Sequence, residues 1–184
     1  MGRPSDFEPE RLVLALLYPA GTELGPLRAA LEGRLGPADY VGPELPFPWT
    51  SYYEAEMGGE LRRGFLSFAR SVDPSGLADL KLWTNGLEEA LAVGGRRRVN
   101  LDPGLLSLGR FCLATTKDRS HRIPLGRGIY AELTLVYEGG EFRPLPWTYA
   151  DWRSPEYRVL LGELRERHRL ARREALKRPD PARA

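Results

Sequence analysis

The stretch RLVLALLYPAGTELGPLRAALEGRLGP, Arg11–Pro37, decides the fold class of this chain. It opens with a near-continuous apolar run that Pro19 ends, which favours a central buried strand, with a short helix as the alternative. The next segment, Thr22–Leu35, places four leucines at helical spacing, with Thr22 as the expected N-cap and the following Gly-Pro pair as the stop. A buried strand followed by an amphipathic helix predicts a domain that contains both a sheet and helices.

Length and composition are those of a globular protein. The 184 residues fit one domain with a sizeable core, and 42 % of them are hydrophobic and 28 % charged. No apolar run approaches the roughly 18 residues of a membrane helix, and the N-terminal residues carry no signal-peptide core. A single cysteine, Cys112, and two histidines, His121 and His168, exclude disulfides and a Cys/His zinc site. We therefore expect a bacterial-type cytosolic protein with no membrane partner.

The formal net charge of +2 is unevenly distributed along the chain. Residues Asp151–Ala184 contain ten Lys or Arg and six Asp or Glu residues, so this segment carries +4 and the remainder −2. A nucleic-acid-binding domain normally shows its basic residues on the body of the fold or in a stripe. The charge therefore gives only weak support to a nucleic-acid partner.

The middle of the chain is expected to contain a hairpin and a helix. Residues Thr50–Met57 alternate in polarity, and Arg62–Arg70 is typical of a returning strand. Four prolines between residues 37 and 48 exclude regular structure before about residue 50. The segment Leu77–Val93 carries an apolar stripe typical of an amphipathic helix.

The segment that follows this helix is ambiguous. Arg96–Leu101 predicts a strand, and Asp102 followed by Pro103 is typical of a helix start. Residues 102–116 fit either a helix or a strand, and we favour a short helical turn followed by a strand.

The last third of the chain has clearer patterns. Ile129–Tyr137 is the clearest strand, with Glu132 on the face opposite its inward apolar residues, and Glu141–Leu145 is expected to return beside it. Pro155–Lys177 predicts a strongly charged helix, and we expect the residues after it to fray.

This order of elements predicts an α+β fold with a mainly antiparallel sheet and helices packed on one face. The favoured topology is a ferredoxin-like core with an added hairpin and a C-terminal helix. We divide the chain into a single α+β domain, residues 1–153, and a charged C-terminal helix with a frayed tail, residues 154–184.

The most polar stretch of the chain, TTKDRSHR at Thr115–Arg122, is the first candidate site. Lysine, arginine and hydroxyl side chains are the groups that bind a phosphate or carboxylate, and histidine suits proton transfer. The alternative is a solvated connecting loop. The ligand-binding candidates are Thr115, Thr116, Lys117, Arg122, Asn85 and Asn100, and the catalytic candidates are His121, Asp118, Asp102 and Glu132.

Acidic residues on the predicted strands are a second candidate. Glu54 and Glu56 share one strand face, and Glu132 lies in the middle of an apolar strand, where a carboxylate is costly unless it faces water, a partner or a metal. If these strands are neighbours, the acids could hold Mg²⁺ or act as general acid and base. The favoured alternative is that this face of the sheet is exposed to solvent and has no functional site.

Two residue pairs elsewhere have both structural and functional interpretations. Asn100 and Asp102 fit a cap and turn, or else line the same pocket as the polar loop. Asn85 and Glu88 share one face of the second predicted helix, which is expected at the surface.

Two partial matches to nucleotide-binding motifs do not support nucleotide binding, and a third motif is absent. Gly126–Ala131 has the letters of a dinucleotide-binding motif but leads into a strand instead of a helix. Thr116–Asp118 lacks the spacer of the guanine-recognition motif of GTPases, and the chain has no phosphate-binding P-loop sequence.

Six stretches spread over nearly the whole chain carry a family resemblance: TSYYEAEMG (Thr50–Gly58), LRRGFLSF (Leu61–Phe68), KLWTNGLE (Lys81–Glu88), RRVNLDPG (Arg97–Gly104), LATTKDRSHRIPLGRGIYAELTL (Leu113–Leu135) and PLPWTYADW (Pro144–Trp152). Together they resemble the bacterial domain-of-unknown-function family 4416. The resemblance implies a compact bacterial cytosolic domain and no particular activity. It also makes the Thr115–Arg122 loop part of the family signature.

Two functional hypotheses follow. The first is binding or turnover of a phosphate-bearing small molecule, a nucleotide or an RNA end at the Thr115–Arg122 loop, with Mg²⁺ as a possible cofactor. The second is a non-enzymatic interaction module that docks a protein or RNA partner through the basic helix Pro155–Lys177.

Overall fold

The computed structural model describes residues 2–177, which form one open antiparallel sheet of nine strands and four helices. The strands are β1 (Arg11–Pro19), β2 (Ala38–Val41), β3 (Leu45–Pro46), β4 (Leu61–Phe68), β5 (Asn100–Leu106), β6 (Arg110–Thr115), β7 (Arg122–Gly126), β8 (Ile129–Glu138) and β9 (Glu141–Pro144). The helices are α1 (Gly25–Leu35), α2 (Glu54–Met57), α3 (Leu77–Ala90) and α4 (Pro155–Lys177).

The sheet has the predicted ferredoxin-like core. Its strand order is β2-β4-β1-β5-β6-β8-β7, with β3 beside β4 and β9 beside β8. In chain order, β1, α1, β2, β4, α3 and β5 form the βαββαβ unit of that core. The hairpin of β8 and β9 corresponds to the predicted added hairpin. The antiparallel sheet and its helices confirm the predicted α+β fold.

Strand β1 is apolar on both faces because helices cover both sides of the sheet. Its residues Leu14 and Leu16 pack in a core with the leucines of α1 and α3, as expected for helices on one face. Val13 and Ala15 point the other way, into a second core that includes Leu161 and the other buried leucines of α4. The C-terminal helix therefore begins at Pro155 as predicted and covers the opposite face.

Two predictions before residue 60 are wrong. The segment Thr50–Met57 is not a strand of a hairpin, since it turns into the short helix α2, where Met57 is buried and Glu56 binds Arg97. Regular structure does occur among the prolines, because β2 and β3 pair with β4 as short strands. Prolines are tolerated in short strands of this kind at a sheet edge.

Two expected helix starts are also wrong. The Thr22 hydroxyl donates to the Pro19 carbonyl at 2.6 Å and closes a turn, while α1 begins three residues later with no side-chain cap. The helical turn expected at Asp102 is absent from this part of the described chain, because β5 runs through Asp102 and Pro103 in register with β1. Burial of Leu101 and Leu105 against the sheet outweighs the local helix-start signal.

The described helices show no membrane-spanning segment: within residues 2–177, none is both long and apolar enough to cross a bilayer. The expected frayed tail after Lys177 lies outside the described residues.

Candidate functional site

The candidate site lies where two neighbouring strands of the sheet separate. Strands β5 and β6 pair only from Gly104–Leu106 to Phe111–Leu113. Beyond these pairs, the first four residues of β5 and the last two of β6 no longer face each other across a ladder. We call the space between these unpaired ends the fork.

Side chains of α3 replace the missing ladder bonds at the fork. Lys81 Nζ donates to the Leu101 carbonyl at 2.7 Å, and Glu88 Oε1 accepts from the Leu101 amide at 2.7 Å. Burial raises the pKa of Glu88, and the nearby charge of Lys81 opposes this rise. Buried backbone groups need partners, so we assign Lys81 and Glu88 a structural role. The expectation that Glu88 lies at the surface is wrong.

The position of Pro103 fits the same arrangement. Alternate residues of a strand direct their amides to the same neighbouring strand. Because the Leu101 amide points away from β1 to Glu88, the nitrogen of Pro103 also points into the fork. A residue without an N–H is tolerated there because no partner strand needs the hydrogen bond.

A cavity of about 720 Å³ occupies the fork. This volume lies within the range of small-molecule sites, about 300–1,000 Å³. Every predicted site residue except His121 and Asp118 lines it. These lining residues are Asn85, Asn100, Asp102, Thr115, Thr116, Lys117, Arg122 and Glu132.

Strand register places the two acids of the cavity on the same face of the sheet. Asp102 lies opposite Ala15, and Glu132 lies opposite Leu113. Ala15 and Leu113 both belong to the core under α4, and directly opposed residues share a face. Trp152 packs in this core and also lines the cavity, so it forms the boundary between them.

Arg63 is a buried cation in the cavity wall. Its Nη2 donates to Asp151 at 3.1 Å, and its Nη1 lies 3.7 Å from Asp102 Oδ2. Its Nε and Nη1 have no hydrogen-bond partner among residues 2–177. Burial tends to raise the pKa of Asp102, but Lys81 and Arg63 together hold it below its ordinary value. Asp102 therefore stays a carboxylate at neutral pH.

Glu132 faces the cavity from β8. Its Oε2 accepts from Arg122 Nε at 2.7 Å and lies 3.2 Å from His121 Nε2. Its Oε1 has no hydrogen-bond partner in the described chain. Only 2 % of Glu132 is exposed, so the expectation that Glu132 lies on a solvent-exposed face of the sheet is wrong. The second core and the polar partners of Glu132 cover it.

His121 and Asp118 lie outside the cavity. The His121 ring stacks on Trp147 with 5.3 Å between ring centroids, and it reaches the cavity only through Glu132. Asp118 is exposed. Only some of the polar side chains of the Thr115–Arg122 loop therefore line the cavity.

Lys117 lies at the mouth of the cavity. Its Nζ is 4.6 Å from the centroid of the Tyr52 ring, and its carbonyl accepts from Arg122 Nη1 at 2.8 Å. Its amide donates to Thr115 Oγ1 at 3.2 Å. Within residues 2–177 its ammonium group forms no salt bridge. The backbone of Lys117 is thus held while its charge stays available.

The acids do not form a metal site. Glu56 is bound to Arg97 at 2.6 Å, and Glu132 is bound to Arg122. The described residues contain no group of three or more His, Cys, Asp or Glu side chains that could hold a metal ion. The suggested convergence of Glu54 and Glu56 with Glu132 is therefore wrong, since the first two lie on α2.

Three cations of the site were missed by sequence reasoning. Arg63 lies inside an apolar strand, and Lys81 lies on the buried side of α3. A charged residue in such a position signals a buried partner, and this signal was readable. Arg97 lies in an irregular segment and carried no signal.

Comparison with known proteins gives a family. No curated protein and no solved structure matches this chain. A family model described as a domain of unknown function (DUF4416) matches residues 8–168, which include every residue that lines the cavity. The chain therefore belongs to the DUF4416 family.

Proposed function

We propose that the cavity in the fork binds a phosphate-bearing small molecule, with its anionic group at Lys117. The observation that carries the proposal is the contrast between this lysine and the other cations of the cavity. Lys81, Arg97 and Arg122 each contact a carboxylate within 3.3 Å. Lys117 has no such partner in residues 2–177 and lies over the Tyr52 ring.

Neighbouring groups suit an anionic ligand. The exposed Thr116 lies beside Lys117 on the cavity lining and supplies a hydroxyl donor. Asn85 lines the cavity from α3 and supplies an amide. A lysine acts as a point charge for phosphate, and hydroxyl and amide donors add direction.

The proposal concerns binding. Asp102 and Glu132 are the predicted catalytic acids that line the cavity, and each is paired with cations. Lys81 and Arg63 hold the pKa of Asp102 below its ordinary value and so make it a weak base, and turnover at Asp102 would need a ligand that changes these contacts.

Thermal unfolding with added ligands tests the proposal. Nucleotides and sugar phosphates are added with and without Mg²⁺, and a ligand present at about 100 times its Kd stabilises the folded state by about 2.7 kcal/mol. We expect Lys117→Gln to weaken binding about tenfold or more, since it removes a charge-assisted contact. Arg119→Gln is the matched control, because this exposed residue of the same loop does not line the cavity.

The result that contradicts the proposal is equally direct. If no compound of the series raises the melting temperature of the wild type, or if Lys117→Gln and Arg119→Gln respond alike, the anion site is not at Lys117.

A second candidate function is an interaction module based on α4. The first half of α4 buries Leu160, Leu161 and Leu164, whereas Leu176 is 81 % exposed in its last turn. Shortening the chain after Arg169 separates the two candidates. The module predicts lost association with intact folding, and the cavity predicts unchanged ligand binding.

A further inference from the structure

Glu132 carries a buried acceptor, Oε1, that has no hydrogen bond within residues 2–177, on a side chain that lines the cavity. The residue is almost fully buried and lines the cavity, and Arg122 and His121 occupy its Oε2. Its Oε1 has no partner among the described residues. A buried carboxylate oxygen without a hydrogen bond is costly, so a ligand that donates to Oε1 gains a contact that the protein alone does not provide.

Arg63 supplies hydrogen-bond donors in the wall of the same cavity. It is 3 % exposed, and its Nε and Nη1 lack partners in residues 2–177. The charge of Arg63 is paired with Asp151, but its two N–H groups and the Glu132 Oε1 that are free in the described chain are of opposite polarity, and a ligand that satisfies both needs acceptor and donor atoms. A bare phosphate ion satisfies only the cationic groups.

Glu132 and Arg63 also lie far apart in the cavity wall. Asp102, which lies 3.7 Å from Arg63, is on β5, and Glu132 is on β8 with β6 between them. Two strand spacings amount to about 10 Å. A ligand that reaches both ends is therefore longer than a phosphate ion.

Aromatic side chains form the rim of the cavity. Trp49, Tyr52 and Tyr149 all line it and are exposed, and they come from two segments far apart in sequence. Exposed rings at a cavity are suited to stacking on a planar ligand, and stacking tolerates any nucleobase because every base has a π-face.

We infer that the ligand is a nucleoside phosphate whose base donates a hydrogen bond to Glu132 Oε1 and stacks on the aromatic rim. The inference rests on the proposed function, in which the phosphate is held at Lys117. Every nucleobase of RNA carries an N–H donor on its pairing edge for Glu132 Oε1. Ribose hydroxyls are donors too, so the aromatic rim, on which a base stacks, is what selects for a base over a bare sugar.

Isothermal titration of the full chain tests the inference with defined probes: inorganic phosphate, ribose 5-phosphate, the four ribonucleoside 5′-monophosphates and a 5′-phosphorylated RNA oligonucleotide. We expect at least one monophosphate to bind about tenfold or more tightly than ribose 5-phosphate, the gain from a base contact. Glu132→Gln is expected to reduce this advantage, read as the ratio of the Kd of ribose 5-phosphate to that of the best monophosphate, because the loss of a charge beside Arg122 affects both probes alike. Lys117→Gln is expected to weaken both.

A second variant covers the case in which Glu132→Gln fails to fold. Trp49→Leu removes an exposed ring of the rim and is expected to reduce only the affinity for the monophosphates. Phe7→Leu is its control, because Phe7 is exposed and does not line the cavity.

The outcomes separate the two proposals. Equal affinity for ribose 5-phosphate and all four monophosphates overturns the inference and leaves the proposed function in place. Tighter binding of the oligonucleotide than of any monophosphate overturns it in favour of an RNA end. Absence of binding by every probe overturns both.

Discussion

Strands β5 and β6 are joined at one end and separated at the other, and the two ends differ in chemistry. At the joined end, backbone pairing is continuous, and Leu106 and Phe111 are completely buried. At the fork, Asn100, Asp102 and Thr115 line a cavity. Apolar contact closes the sheet where the strands pair, and charged side chains of α3 hold it open where they do not.

The same pair of strands contributes to stability at its joined end and to a candidate ligand site at the fork. The joined end is close-packed, since a Cβ added at Gly104 would lie 2.4 Å from the Phe111 ring. The fork instead satisfies its backbone with Lys81 and Glu88. A change at the joined end should therefore alter stability alone, and a change on the fork's lining should alter binding.

The largest expected effect comes from removing the charge that keeps the fork in place. Glu88→Ala leaves the Leu101 amide without its acceptor and removes the ion pair of Glu88 with Arg97 at 3.3 Å, and breaking a buried ion pair costs about 3–5 kcal/mol. Urea unfolding measures the loss. Glu88→Gln is the control, since it keeps an acceptor for the amide and should cost less. A loss below about 1 kcal/mol for Glu88→Ala would mean that the fork does not depend on this contact.

The next largest effect on stability is expected from His168, a buried side chain whose Nδ1 has no hydrogen-bond partner among residues 2–177. His168 on α4 is buried, and burial together with the charges of Arg11 and Arg172 lowers its pKa from 6.5 to about 4. The unfolded chain then binds a proton that the folded chain does not, so stability falls as pH drops from 6.5 to 4. The loss amounts to about 3 kcal/mol at most.

Denaturant unfolding at several pH values tests this effect against His168→Leu. The wild type should lose about 3 kcal/mol more than the variant over this range, because the variant has no imidazole to protonate. Identical pH profiles would show that the paired charges of the fork, rather than His168, govern the acid sensitivity.

A smaller effect is expected at the joined end. Gly104→Ala forces the new methyl group against Phe111, and overpacking of a core costs about 1–3 kcal/mol. Gly109→Ala is the matched control, because a Cβ there meets no atom within 4 Å. Equal unfolding free energies for the two variants would contradict the close packing of this end. Ligand affinity should be the same in both.

The smallest effect on stability is expected at the mouth of the cavity. Lys117 is exposed, and its ammonium group lies over the Tyr52 ring and forms no salt bridge within residues 2–177, so Lys117→Gln should change the free energy of unfolding by about 0.5 kcal/mol. Chemical unfolding checks this value. A loss above about 2 kcal/mol would give Lys117 a structural role instead.

The sequence predicted the elements whose pattern is dominated by burial. Strand β1 and the hairpin of β8 and β9 follow from their apolar residues. The ferredoxin-like order agrees with the prediction, but its second strand is Ala38–Val41 and not the predicted Thr50–Met57. Local signals failed where tertiary contacts overrode them. Asp102-Pro103 has the letters of a helix start, but pairing with β1 keeps this segment extended.

The site could be predicted only in part, for a similar reason. The polar loop identified Lys117 and Arg122, which both line the cavity. Local pattern does not reveal the separation of β5 and β6, because it depends on Lys81 and Glu88 reaching across from another element. The inward or outward direction of His121 likewise depends on its stacking with Trp147.

The central claim is that the fork, and not the joined end, is a ligand site. Amide NMR spectra recorded during titration with inorganic phosphate and the four ribonucleoside 5′-monophosphates test it most directly. We expect saturable shifts at Leu101, Ala114 and Lys117, with Leu105 and Phe111 unaffected. Absence of saturable shifts at the fork, or shifts confined to the last turns of α4, would contradict the claim.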